Sequence, residues 1–84
     1  MLLKVKLFQK KLTKSEIENR TVHLTKDMAK LFPRGSFTIT IGGVELEKKI
    51  DKYNRIFLDV KAFAKAGDTI EFYKKPDGGY EVSF

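Results

Sequence analysis

Seven cations in this 84-residue sequence have types and spacings that suit contact with a polyanion: Lys4, Lys6, Lys10, Lys11, Lys14, Arg20 and Arg55. Strict alternation in Leu3-Lys4-Val5-Lys6-Leu7-Phe8 sends Leu3, Val5 and Leu7 to one side of a strand. Lys4, Lys6 and Phe8 go to the other, with Lys10 in the same register. Joined by Lys11, Lys14 and Arg20, these lysines form a ribbon suited to phosphates. The planar forks of Arg20 and Arg55 suit O6 and N7 of guanine. The alternative reading of the lysines is an edge strand guarded against aggregation, and that of the arginines is ion pairing with nearby Glu18 or Asp51.

Charge is unevenly spread. The chain carries 17 Lys plus Arg against 11 Asp plus Glu, a net charge of +6. Met1 to Arg34 holds nine bases and three acids, so the whole excess lies there, and the other fifty residues balance. A field concentrated in this way attracts nucleic acid, an anionic surface or an acidic protein.

Catalytic chemistry finds little to work with. Cysteine is absent, which removes disulfides and thiolate sites, and the single histidine, His23, reads as an outward polar strand residue. Glu45, Glu47, Asp51, Asp59 and Asp68 are interleaved with lysines, as solvated charge is, and no metal-loop spacing occurs. Gly42-Gly43 and Gly78-Gly79 precede strands rather than helix N-termini, so they are hairpin turns before they are phosphate cradles. The expectation is a protein that is not an enzyme and uses no cofactor or metal. No apolar run reaches the roughly 20 residues of a membrane helix, and lysines interrupt the N-terminal apolar residues, so a cytoplasmic protein without membrane contact is expected.

The positioning elements follow from periodicity. A basic strand over 2–10 leads into a polar stretch, 11–19, read as a loop with at most a helical turn. Thr21 to Leu24 is a short strand. Thr25 or Asp27 then caps a helix carrying Met28, Leu31 and Phe32, which Pro33 and Gly35 stop. Phe37, Ile39 and Ile41 alternate inward, Gly42-Gly43 turns the chain, and Val44 to Ile50 returns it. Arg55 to Leu58 is a further strand, and Asp59 is placed to cap a second helix bearing Val60, Phe63 and Ala64, with Gly67 at its end. Thr69 to Tyr73 and Tyr80 to Phe84 close the chain around a Pro76-Asp77-Gly78-Gly79 turn. Phe8, Tyr53, Phe57 and Tyr73 fall on outer faces or in turns, where stacking on unpaired DNA or RNA bases is a variant use.

Two segments, about 20–47 and 55–84, run through the same order. Arg20-Thr21-Val22-His23-Leu24 answers Arg55-Ile56-Phe57-Leu58-Asp59, Gly35 answers Gly67, and Gly42-Gly43 answers Gly78-Gly79. The offset is 35 at the arginines and 36 at the double glycines. One such β-α-β-β unit cannot close a core alone, but two can. The expected architecture is one domain over 1–84, mainly β with two short helices, arranged as a small pseudo-twofold β-barrel. In it Arg20 and Arg55 occupy equivalent places.

The stretch from Asp51-Lys52-Tyr53-Asn54-Arg55 through Gly67-Asp68-Thr69-Ile70-Glu71-Phe72 resembles the AbrB/MazE/SpoVT family of swapped-hairpin DNA-binding domains. Members read hydrophobic-Asp-turn-Gly-Arg-Val/Ile-x-Ile/Leu-Pro, a helix, then Gly-Asp-x-Leu/Ile-Glu-Ile/Phe. The likeness covers Ile50 to about Val82, some forty percent of the chain. Asn54 stands where the family has glycine and Asp59 where it has proline, and the first half has Gly35-Ser36 for Gly-Asp. The resemblance implies a double-stranded DNA-binding transcriptional regulator whose Arg20 and Arg55 side faces DNA, compatible with a homodimer. The plant-type and restriction-enzyme DNA-binding pseudobarrel is a second resemblance with the same implied partner. The alternative function is a protein-interaction module, an antitoxin or adaptor whose basic face meets an acidic partner.

Overall fold

A computed structural model describes residues 3–84, so Leu2, where the basic strand is expected to begin, lies outside the described residues. The described residues are mainly β, with seven strands and two short α-helices. In order these are β1 (Val5–Lys11), α1 (Lys14–Asn19), β2 (Thr21–His23), α2 (Lys26–Ala29), β3 (Phe37–Ile41), β4 (Val44–Lys48), β5 (Arg55–Phe57), β6 (Thr69–Lys74) and β7 (Tyr80–Ser83). Ladders join five strands in the order β1-β6-β7-β3-β4, and β2 and β5 form a separate two-stranded ribbon. Among the described residues only the β3–β7 contact is parallel.

The alternating triplets behave as their period requires. Phe37, Ile39 and Ile41 on β3, Ile70 and Phe72 on β6, and Tyr80 and Val82 on β7 are buried on one face of the large sheet. The ribbon covers that face with Val22 and Ile56, and Leu12, Ile17, Leu24, Phe32, Leu58 and Val60 complete the core. Among the described residues no ladder joins β1 to β4. The ribbon, rather than a further ladder, closes off the apolar face.

Gly42 and Gly43 have φ of +57° and +81°, the left-handed pair that a two-residue hairpin demands. A Cβ on Gly42 would lie 2.5 Å from the Phe63 ring, which itself stacks on Phe84 with centroids 5.6 Å apart. Gly42→Ala is therefore expected to cost about 1–2 kcal/mol from backbone strain and to push Phe63 off Phe84. Urea denaturation together with aromatic NMR shifts checks both effects.

One of the two helices is where the sequence places it and the other is not. The first expected helix survives as α2, shortened to four residues and capped by Thr25, whose hydroxyl accepts from Met28 N at 3.2 Å. At the second only a 3-10 turn forms, over Val60–Ala62. Asp59 makes no cap hydrogen bond and pairs with Arg20 instead, while Gly67 N donates to Leu12 O and Leu12 N donates to Asp68 O, both at 2.8 Å. Bonding to the end of β1 thus replaces helix continuation. The second helix is α1, in the stretch read as a loop. Thr13 and Glu16 form a reciprocal capping box there, and Thr13-Lys14-Ser15-Glu16 is the sequence signature that announces one.

Candidate nucleic-acid interface

β1 does not keep one face along its length. Its register against β6 shifts between Lys6 and Phe8, so Lys6 pairs with Tyr73 and Phe8 already with Phe72. The bulge turns the strand over. Phe8, expected outside, lies against the core and stacks on Phe72 with centroids 4.7 Å apart. Lys10, expected beside Lys4 and Lys6, is carried to the opposite side. There its ammonium donates to Glu16 Oε2 and to His23 O, both at 2.6 Å, with the side chain only 18% exposed. Lys10 is a structural clamp and not part of an outer basic face. Leu3 and Val5, expected in the core, are 73% and 62% exposed: Leu3 precedes β1, and among the described residues β1 is an edge strand whose first residue, Val5, lies clear of the core.

Lys4 and Lys6 do share the outer face of the sheet, next to carboxylates. Lys4 Nζ lies 3.0 Å from Glu81 Oε2 and over the Tyr73 ring. Lys6 Nζ lies 2.7 Å from Glu71 Oε2 and also donates to Gln9 Oε1. That hydrogen bond to Glu71 holds the Lys6 ammonium above its usual range and the Glu71 carboxyl below its own. Lys14 makes only a loose contact to Glu18, 4.0 Å away, and remains highly exposed. Lys11 is exposed with no carboxylate within 4.0 Å among the described residues, as are Lys26, Lys30, Arg34 and Lys52.

The ribbon brings together a different set. Thr21, Val22 and His23 pair with Phe57, Ile56 and Arg55. Leu24 N donates to Asn54 O at 2.8 Å and Leu58 N to Arg20 O at 2.9 Å, a matched pair of bonds across the ribbon. Arg20 and Asn54 are also the two non-glycine residues with positive φ among the described residues, +52° and +59°. Local geometry therefore aligns Arg20 with Asn54 and Thr21 with Arg55, an offset of 34 read directly from these partners. The expected equivalence of Arg20 with Arg55 is out of step by one residue, which in a strand reverses the face. Arg20 caps α1 and reaches Asp59 Oδ1 at 3.2 Å rather than the nearby Glu18.

Arg55 is held from both sides. The Asp51 carboxylate accepts from Tyr53 N, Arg55 N and Arg55 Nε, each at 2.9 Å, and this organises the tight 51–55 turn. Burial pushes the Asp51 carboxyl up, but the bonds from Arg55 and Tyr53 outweigh it and hold that group below the usual range. The guanidinium lies 4.9 Å from the Tyr53 ring centroid and 5.5 Å from that of Phe57. Arg55 and Phe57 share the outer face of β5 through strand alternation, Tyr53 meets the same guanidinium from the turn before it, and Tyr53 and Phe57 are 63% and 52% exposed. Lys52 sits over Tyr53, and His23 lies opposite Arg55. Nε is the only Arg55 side-chain atom with a hydrogen bond among the described residues, so the two terminal nitrogens stay available.

An exposed aromatic–arginine–aromatic row with free guanidinium donors can stack on planar groups and hydrogen-bond an anion or a base edge. Of the four aromatics expected outside, Tyr53 and Phe57 join Arg55, Tyr73 lies under Lys4, and Phe8 is inside. The part of Asp51 as organiser was legible only as proximity in sequence. Among the described residues no three His, Asp or Glu side chains gather as a metal site would require, and no helix is long and apolar enough to cross a membrane. The fold and site define a small mainly-β domain with an exposed cationic, aromatic ribbon. Comparison with protein-family models, curated proteins and solved structures finds no match to the chain.

Proposed function

We propose that this chain is a non-enzymatic double-stranded DNA-binding protein with a role in transcription, and that the β2–β5 ribbon is its reading element. The observation that carries the reading is Arg55, anchored through Nε by Asp51 with its terminal nitrogens free on an exposed two-stranded ribbon. A ribbon of this width enters the major groove, and an oriented guanidinium is the commonest reader of guanine there. Lys52, Lys11, Lys14 and Arg20 supply phosphate contacts. Lys4 and Lys6 contribute only by leaving Glu81 and Glu71. The AbrB-like sequence of the second half agrees with this assignment and adds the regulatory role.

The test is fluorescence anisotropy against a random duplex, a selected duplex and a single strand over a salt series. Wild type is expected to bind duplex with a log–log salt slope of about −3 or steeper, at roughly 0.9 per phosphate. Arg55→Ala is expected to lose about 1–3 kcal/mol on the selected duplex relative to random DNA. Arg55→Lys, which keeps the charge without the fork, should lose most of the same preference. Equal affinities of wild type and Arg55→Ala for both duplexes reject Arg55 as reader. Preference for the single strand, lost with Tyr53→Ala or Phe57→Ala, moves the ribbon's ligand to unpaired bases. No binding at low salt, with a stoichiometric acidic protein co-purifying, favours the protein-interaction module.

A further inference from the structure

The large sheet has two open edges, β1 and β4, and they are opposites. At the start of β1, Lys6 and the preceding Lys4 lie on the outer face, beside Glu71 and Glu81, and Val5, opposite Lys74, on the inner one. On β4, Glu45 and Glu47 lie opposite Thr40 and Thr38 on the outer face, while Val44 and Leu46 lie opposite buried Ile41 and Ile39 on the inner one. Leu3, Val5 and Val44 are among the most exposed large apolar residues of the chain. Glu45 and Glu47 have no cationic partner within 4.0 Å among the described residues.

Strand directions also match. Passing from β1 through β6, β7 and β3 to β4, the contacts are antiparallel, antiparallel, parallel and antiparallel, so β4 runs opposite to β1. A second copy in the same orientation would add its β1 to β4 as an antiparallel neighbour, continuing the sheet with both faces in phase. In one register Lys4 meets Glu47, Val5 meets Leu46, Lys6 meets Glu45 and Leu7 meets Val44. Like edges repel: β1 on β1 sets lysines together, and β4 on β4 sets glutamates together.

We propose that β1 of one copy pairs with β4 of another, so that the chain associates with itself through unlike edges. Lysines that blunt β1 against its own kind thereby become the selector for β4. Lys4 and Lys6 keep their bonds to Glu81 and Glu71, since an ammonium has three donors and can bridge two carboxylates. Such a contact is heterologous, growing open chains unless the geometry closes a ring or two copies exchange both edges.

The experiment is sedimentation velocity of the full chain, freed of nucleic acid, over a hundredfold concentration range at low and moderate salt. Reversible growth in mass with concentration, weakened by salt, is expected. Glu45→Lys with Glu47→Lys, both at exposed positions, should raise the dissociation constant roughly tenfold or more while leaving the thermal midpoint unchanged. Mixing that variant with Lys4→Glu plus Lys6→Glu should restore association, because each then offers the other an opposite edge. A wild type that stays monomeric throughout overturns the proposal, as does a Glu45→Lys, Glu47→Lys variant that associates as strongly as wild type. If the Lys4, Lys6 variant does not fold, the Glu45, Glu47 variant alone decides.

Discussion

Glu16→Ala is expected to destabilise the protein by about 3–5 kcal/mol, the cost of breaking a buried ion pair on one side. The side chain is only 3% exposed and joins three elements. Its Oε1 accepts from Thr13 N at 2.9 Å, and its Oε2 accepts from Lys10 Nζ at 2.6 Å and His23 N at 2.8 Å. Removal leaves the Lys10 ammonium in a poorly solvated place with His23 O as its remaining partner. It also opens the capping box of α1 and the tie to β2. A domain of this length has roughly 4–13 kcal/mol in total, so the variant should show a large fall in urea midpoint by circular dichroism. Thr13→Ala removes only the hydroxyl side of the cap and should cost about 1 kcal/mol. Adding Lys10→Met to the Glu16 variant should recover part of the loss, since the stranded charge is gone. An unchanged midpoint in Glu16→Ala would refute the structural weight given to this group.

The same carboxylate sets a pH dependence. Burial pushes Glu16 up, but the bonds from Lys10, His23 and Thr13 outweigh it and hold the carboxyl below its ordinary value. In the acid range the unfolded chain therefore binds the proton more readily than the folded one, and stability rises with pH there. Its contribution is fully present above the ordinary glutamate range and is lost as the pH falls through the lowered folded-state value. Glu16→Gln should flatten that acid limb, which stability curves of both proteins from neutral to acid pH will show.

Phe32→Ala is expected to cost about 3–5 kcal/mol, as truncation of a buried aromatic does. Phe32 is the hub of the aromatic core, with ring centroids 4.6 Å from Tyr80, 5.0 Å from Phe37, 5.9 Å from Phe72 and 6.2 Å from Phe8. The Tyr80 hydroxyl donates to Leu31 O at 3.1 Å beside it, so ring and backbone together pin the α2–β3 connection onto the sheet. Without the ring this segment has little else to hold it, because its helix is one turn long and Leu31 is exposed. Hydrogen exchange should rise first between Thr25 and Ser36, ahead of global unfolding. Phe32→Leu, closer in volume, should cost about 1.5 kcal/mol or less.

Much of this was legible in local sequence. Alternation identifies Phe37, Ile39, Ile41, Ile70, Phe72, Tyr80 and Val82 as one buried set, and Gly42-Gly43 as a turn, because side-chain period and positive φ are properties of a few consecutive residues. The exposed placing of Phe57 beside Arg55 also follows from strand period, while Tyr53 joins them from the 51–55 turn. The capping box at Thr13 and Glu16 was equally readable. What local sequence does not carry is register. The bulge between Lys6 and Phe8 arises from how β1 meets β6, some sixty residues away, and it decides that Phe8 goes in and that Lys10 becomes a clamp.

Partner choice is likewise tertiary. Glu71 and Glu81 take Lys6 and Lys4, Asp59 leaves its helix cap for Arg20, and Leu12 takes the backbone of 67–68 that a helix would have used. Residue order alone carries the faces of β3, β6 and β7, the glycine turns and the excess of positive charge. The faces of β1, and which cations are neutralised and which stand free, are set by long-range pairing, because a charge finds its counterion across the whole chain while a strand's period needs only its neighbours.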